Sequence, residues 1–404
     1  MITEDKTKSL RDRGVSIPAP SSVEIGDEVQ IDRISGEGVT IHGGCRIFGK
    51  TTFISKGCII GREGPVTLDS CQLGPDVKIN GGFVKSSVFL NGVTVGYGAH
   101  IREGSILEEE ASVAHTVGLK QTILFPFVTL GSLINFCDCF MAGGTSRKNH
   151  SEVGSSYIHF NYTPNQDKAT ASLLGDVPRG VMLNNKPIFL GGQGGMVGPC
   201  RLNYGTVIAA GTIQRKDELE PDRLLFGGAL RPGNIKHTPG IFQNIPKVVG
   251  NNLYYIANQI ALMNWYKHVR TRFVSDSFPL PVLQGLFETL ALSMGERIKR
   301  LKEFLEKASA VRDSAGHEPL TKNWNRLEND FKGLMSDDSS IGEEKRDAFL
   351  KSFDSFLNQT VVENYIDAIK SLDMETASAG TAWLSDIVDD VYQNAIQLIP
   401  GIKS

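Results

Sequence analysis

The feature that most restricts the fold of this chain is a spacing of six. Ile41, Ile47, Phe53 and Ile59 recur at that interval, as do Phe83, Phe89, Val95, Ile101, Leu107 and Val113, and again Leu190, Met196, Leu202 and Ile208. An α-helix repeats its buried face every 3.6 residues and a strand every two, so neither yields this pattern over many turns. A chain that bends every six residues does. Each segment lays down a short strand with one aliphatic side chain inward, and the next residues turn a corner. Small residues crowd those corners, as in Val95-Gly96-Tyr97-Gly98 and Leu73-Gly74-Pro75, because glycine tolerates the positive φ of a tight bend. Three segments close a triangular coil, and stacked coils bury a column of aliphatics. The predicted fold is mainly β, a parallel β-helix.

Glycine also marks where this grammar stops. Of 43 glycines, all but seven precede residue 251, and all six cysteines lie in the same part. Beyond it the apolar residues fall at helical intervals: Leu283, Phe287, Leu290, Met294, Ile298, Leu301 and Leu305; then Leu350, Phe353, Leu357, Val361, Tyr365, Ile369 and Leu372; then Leu384, Val388, Val391, Ala395 and Ile399. The expected organisation is an N-terminal extension over 1–22, a β-helix domain over 23–245 and an α-helical domain over 246–404. An irregular excursion at about 140–188 breaks the period, and irregular loops on a regular scaffold are where function tends to sit.

Composition excludes several classes. A formal net charge of −3 with 22% charged residues gives no field to recruit nucleic acid or an anionic membrane. The segment from Met1 to Pro20 is polar, unlike a signal peptide, and no run of about 18 apolar residues occurs, so a cytoplasmic protein is expected. Six scattered cysteines do not make a disulfide framework, and the Cys137–Cys139 pair has the wrong spacing for a zinc knuckle. No metal is expected.

From Gly98 to Arg231 several ordered motifs carry a resemblance. They are Arg102 to Leu107 (Arg-Glu-Gly-Ser-Ile-Leu), Ser155 to Tyr162 (Ser-Ser-Tyr-Ile-His-Phe-Asn-Tyr), Leu190 to Pro199, and Gly205 to Gly211 (Gly-Thr-Val-Ile-Ala-Ala-Gly). In these the chain resembles the hexapeptide-repeat, left-handed β-helix acyltransferases. Among them it is similar to the acetyltransferase domain of the bifunctional N-acetylglucosamine-1-phosphate uridyltransferase/glucosamine-1-phosphate acetyltransferase. The resemblance implies a transferase of nucleotide-sugar metabolism that moves an acetyl or other acyl group from an acyl-CoA co-substrate to a sugar phosphate or a nucleotide sugar such as UDP-N-acetylglucosamine. It also implies a homotrimer with sites between subunits. Arg102 and Lys120 fall where the family grips phosphate, Asn161 and Tyr162 where it holds the sugar and acetyl donor, and Lys168 where a further lysine follows. Gly192, Ala209 and Ala210 fall on the coils that bind the pantetheine arm of acetyl-CoA, and Arg231 where an arginine meets the CoA phosphate. Nothing resembles the family's nucleotidyltransferase half.

The departures are as informative. The family's catalytic histidine falls at about Asn135 or Phe136, and neither can take a proton. N-acylation of an amino sugar needs such a group, and an imidazole suits it. His150 and His159 flank the substrate motif and are the expected bases, with His115 a further candidate. The polar loop from Gly143 to Asn149 adds Arg147 as an expected anion contact. Two readings therefore stand: an acyltransferase with a relocated base, and a non-catalytic nucleotide-sugar-binding or scaffold protein that uses its helical domain to dock a protein partner. A metal-dependent lyase of the same fold is a weaker third.

Overall fold

The computed structural model describes residues 2–227, 233–234, 236, 240–313, 318–335 and 340–402. Three parallel sheets wrap into a parallel β-helix. Face 1 stacks ten strands from Glu24–Ile25 to Ile213–Gln214, face 2 eight from Phe53–Ile54 to Arg201–Leu202, and face 3 ten from Thr40–Ile41 to Leu224–Leu225. The chain runs from face 1 to 2 to 3 and back, one coil at a time, so residues 17 or 18 apart stack in register, as Ser87 does on Ser105 and Ser112 on Thr129. Neighbouring coils are then ~4.8 Å apart.

The inward column is aliphatic as expected, with Ile101, Leu107, Val113, Leu190, Met196, Leu202 and Ile208 all buried. Phe53, Ile59 and Phe83 depart from it. Ile54, Ile60 and Val84 fill the core instead, while Phe53 lies under Arg33 and Phe83 stacks on His100 with ring centroids 5.1 Å apart. The reason is coil length. Ile47 and Ile54 are seven residues apart, Val84 and Phe89 five, and a slip of one residue exchanges the two sides of a strand.

Residues 140–188 also differ from expectation. They hold three separate loops between regular coils: a hairpin (Gly144–Ser146 with Asn149–His150), a loop over 161–171, and a turn carrying a short helix, α2 (Val177–Gly180). The strands Glu152–Val153, Ile158–Phe160 and Ser172–Leu174 continue the coil between them.

The other helices are α1 (Ile2–Asp12), which packs at the start of the coil, and α3 (Ile245–His268), α4 (Leu280–Asp313), α5 (Trp324–Met335), α6 (Glu343–Gln359), α7 (Tyr365–Lys370) and α8 (Met374–Gln397). These last six do not project from the end of the coil. They form a layer over face 2, with α4 across strands Gln72–Leu73, Ser87–Phe89 and Ser105–Leu107, and α3 across Ser172–Leu174. The outward residues of face 2 explain this. Val88, Ile106, Ile123, Phe140 and Leu173 are apolar and share one core with Leu253, Ile256, Ile260, Leu286 and Leu290, whereas the outward positions Thr94, Ser112 and Thr129 of face 3 are polar and uncovered. The helical stripes are buried or half-buried, except at Val361. That residue is fully exposed because α6 ends at Gln359 and the next helix starts at Tyr365.

Among the described residues no helix is long and apolar enough to cross a membrane. All six cysteines are buried and free.

Candidate active site

The corners of the coil sort the expected site residues into three edges, and only two of these border face 1. The edge between faces 1 and 2 carries Arg102, Lys120, Asn161, Tyr162 and Lys168, while His159 lies within the face 1 strand Ile158–Phe160. The edge between faces 3 and 1 carries His115, Gly192, Ala209 and Ala210. The edge between faces 2 and 3 carries Arg147 and His150, away from the others. Arg231 lies outside the described residues.

At the edge between faces 1 and 2, buried hydroxyls cap the turn carbonyls. Ser87 Oγ donates to the carbonyls of Lys85 and Arg102 at 2.8 and 3.1 Å, and Thr122 Oγ1 to those of Lys120 and Phe136 at 3.0 Å each. This ladder lets the long side chains at the corner point outward. Arg102 and Lys120 stack on successive coils. Lys120 is engaged, its Nζ 2.7 Å from Glu103 Oε1. Burial, and then the Asp138 charge, push the Cys137 thiol above its ordinary value, and the positive charge of Arg102 draws it partly back. Asn161 is half-buried and its Nδ2 is 3.4 Å from Asp138 Oδ2. Tyr162 is 57% exposed, with Lys168 Nζ 5.7 Å from its ring centroid.

His159 faces the other way. It is buried, T-shaped against Phe136, and its Nε2 meets Ser172 Oγ at 2.8 Å. Burial drives its pKa down to about 4, against the opposing pull of Asp138, so at neutral pH the ring is an uncharged core group.

Beside His159, Asp138 Oδ1 pairs with Arg297 Nη2 of α4 at 2.6 Å, both residues almost wholly buried. Asn252 of α3 donates to the carbonyl of Ala169 at 2.9 Å, and Lys307 of α4 to that of Gln166 at 2.5 Å. The helical layer thereby fixes the 161–171 loop. Asp138 and Arg297 carry no motif; the one local signal is that Asp138 occupies a positive-φ corner (62°), a position asparagine and aspartate tolerate.

The hairpin closes on its own coil. Arg147 Nη1 donates to the carbonyls of Phe127 (2.7 Å) and Glu110 (3.1 Å) and to Thr129 Oγ1 (3.1 Å). His150 Nδ1 lies 2.8 Å from the Arg147 carbonyl, with Nε2 3.8 Å from Glu152. These two residues are thus occupied in holding the hairpin, on the edge opposite face 1.

At the edge between faces 3 and 1, exposed His115 meets Ser132 of the next coil, Nδ1 to Oγ at 2.8 Å. Ser132 N in turn donates to Ser155 Oγ at 3.2 Å. Gly192 and then Ala209–Ala210 follow on the next two coils. There the backbone is so close that a Cβ on Gly191 would lie 2.3 Å from Ala210 N, and the edge presents a flat strip of small residues. Ser132 as partner of His115 is legible only once the 17-residue coil is known.

Between these two edges face 1 is free of the helical layer and exposes His100, Asn135, Ile158 and Phe160. Among the described residues no group of three His, Cys, Asp or Glu side chains is placed to hold a metal ion.

No family model matches the chain. Among curated proteins it is similar to the bifunctional protein GlmU of Thermotoga sp. (strain RQ2), 27% identical over 227 residues, which cover 56% of this chain and 45% of that protein. GlmU of Nitratidesulfovibrio vulgaris (strain DP4) is 28% identical over 232 residues, covering 56% and 44%, and GlmU of Pelobacter propionicus 29% over 205 residues, covering 50% and 39%. The chain therefore spans less than half the length of these relatives. A search of solved structures matches LpxA from Acinetobacter baumannii with 12% identity and a TM-score of 0.18, covering 69% of this chain and 95% of that one. The motifs, the coil and the curated relatives agree: the chain resembles the hexapeptide-repeat acyltransferases of the parallel β-helix fold, and among them the acetyltransferase domain of the bifunctional N-acetylglucosamine-1-phosphate uridyltransferase/glucosamine-1-phosphate acetyltransferase.

Proposed function

We propose that this protein is an acyl-CoA-dependent acyltransferase acting on a sugar phosphate or nucleotide sugar across face 1. One observation carries the reading. The face left open by the helical layer is bordered on one side by an exposed imidazole and a strip of small residues, and on the other by Arg102, Lys120 and Asn161. Arg102 offers a planar fork suited to phosphate oxygens, while Asn161 and Tyr162 contact the sugar and Lys168 assists.

The acyl donor runs along Gly192, Ala209 and Ala210. From His115 to Ala209–Ala210 is four coils, roughly 19 Å at one strand spacing per coil, which suits a donor with a long flexible arm. The base is His115 rather than His150 or His159, since His150 is on the far edge and His159 is in the core. The acceptor amine attacks the thioester carbonyl carbon and the C–S bond breaks. The amine proton passes to His115 Nε2 and the leaving thiolate is then protonated.

The assembly in this reading is a homotrimer joining face 3 of one chain to face 1 of the next. Phe189, Val207 and Leu224 are exposed in register on face 3, and Ile158 and Ile213 on face 1. Light scattering tests this, and a monomer would refute the trimer.

The activity test is thermal-shift binding of acetyl-CoA, UDP-N-acetylglucosamine and glucosamine-1-phosphate. Stabilisation by acetyl-CoA is expected, growing with concentration as mass action requires. Stabilisation by the sugar ligands alone would instead favour the non-catalytic binding protein.

A further inference from the structure

A separate small cavity of about 220 Å³ lies at the edge between faces 2 and 3, between the α2 turn, the last coils and α3. Two guanidinium groups border it. Arg179 lies over the Tyr204 ring at 4.6 Å and is held by Asp176, Nε to Oδ2 at 2.8 Å. Arg201 lies over the Tyr254 ring, its Cζ 3.5 Å from the centroid. Among the described residues no carboxylate lies within ion-pairing distance of Arg201. Stacking on an aromatic face fixes the plane of a guanidinium and leaves its N–H edge free to bind. With Asp176 set against Arg179, the cavity keeps one uncompensated positive charge.

The remaining lining includes Leu219, an exposed apolar side chain, and Asn203, whose Nδ2 already donates to the Leu219 carbonyl. At ~30 Å³ per water the cavity holds about seven waters, or an organic molecule of a similar number of heavy atoms.

We propose that this cavity is a binding site for a short aliphatic carboxylate, whose head group docks on the Arg201 fork and whose tail lies on Leu219. A monoanion balances the single free charge, whereas a phosphate dianion overshoots it. The site is on the edge opposite face 1 and is independent of the acyl-transfer reading.

The test uses the full chain with sodium butyrate as probe, against sodium phosphate and sodium chloride at equal ionic strength, read by saturation-transfer NMR and calorimetry. Saturable butyrate binding is expected. It weakens roughly tenfold or more in Arg201→Gln, as loss of a charge-assisted contact implies. It also weakens in Leu219→Glu, which changes an exposed residue and places a competing carboxylate at the site. Circular dichroism confirms that both variants fold. Absence of saturable binding to the wild type, unchanged affinity in both variants, or phosphate binding as tightly as butyrate would each overturn the proposal.

Discussion

Glu108 offers a quantitative test of how the helices are joined to the coil. It is almost fully buried at the edge between faces 2 and 3, where Tyr266 of α3 donates to its Oε1 at 2.5 Å. The neighbouring Glu109 pairs with Arg270, itself buried between the rings of Phe278 and Tyr365. The Arg270 guanidinium thus pairs with Glu109, and its charge also acts on Glu108. Burial is the dominant influence on Glu108 and raises its pKa from an ordinary 4.5 to about 7; Glu109 pushes the same way, while Arg270 and the Tyr266 hydrogen bond oppose it. The folded protein therefore holds this proton more tightly than the unfolded chain does. Stability fully present below pH 4.5 is lost as pH rises through 7. At ~1.36 kcal/mol per pKa unit the loss is about 3 kcal/mol.

Glu108→Gln keeps the shape and an acceptor for Tyr266 but cannot ionise. Urea unfolding at pH 5, 6, 7 and 8 measures the effect, with the difference between wild type and variant isolating this group from all other titrations. The wild type is expected to lose about 2.5 kcal/mol relative to the variant across that range. Parallel curves would show that Glu108 is charged throughout, or is not buried by α3.

Replacing Arg297 with Met leaves Asp138 buried and unpaired, and should cost about 3–5 kcal/mol; adding Asp138→Asn should recover much of that in the same unfolding assay. His159 behaves oppositely to Glu108. Its folded pKa of about 4 lies below the ordinary 6.5, so its contribution is present above 6.5 and lost as pH falls toward 4, and His159→Gln should flatten the acid limb of the stability profile. His115→Ala should abolish acyl transfer with little change in melting temperature; normal turnover would move the base elsewhere. Arg102→Ala should weaken phosphosugar binding by about 1.5–3 kcal/mol, and an unchanged calorimetric affinity would remove it from the site.

The coil was legible because each inward residue repeats the same local problem, and Leu190 to Ile208 needed only counting. Phe53 and Phe83 misled because a corner one residue longer or shorter is invisible to a fixed period. The helices were legible as helices, yet their place was not. It depends on outward apolar residues such as Val88, Ile106 and Phe140, which look like ordinary strand residues until the inward set is known. For the candidate site, the motif residues Arg102 and Asn161 could be picked out, but not which edges meet. His115 and Ser132 become neighbours only through coil stacking, and Asp138 and Arg297, 159 residues apart in the chain, only through the helical layer.

A stack of coils is by nature a weakly cooperative object, since each layer touches only those above and below and can peel from either end. Helix α4 changes that. Its 34 residues extend ~51 Å at 1.5 Å per residue, a length comparable with ten coil spacings. It lies on strands from Gln72 to Leu107 and holds Asp138 and Gln166 further along. It acts as a splint: losing one coil from the middle strips contacts from a rod on which the other coils beneath it also depend. Layer-by-layer fraying is thereby converted into a single transition, and hydrogen exchange should find the coils under α4 opening together, with gradual loss confined to the first coils beyond its reach.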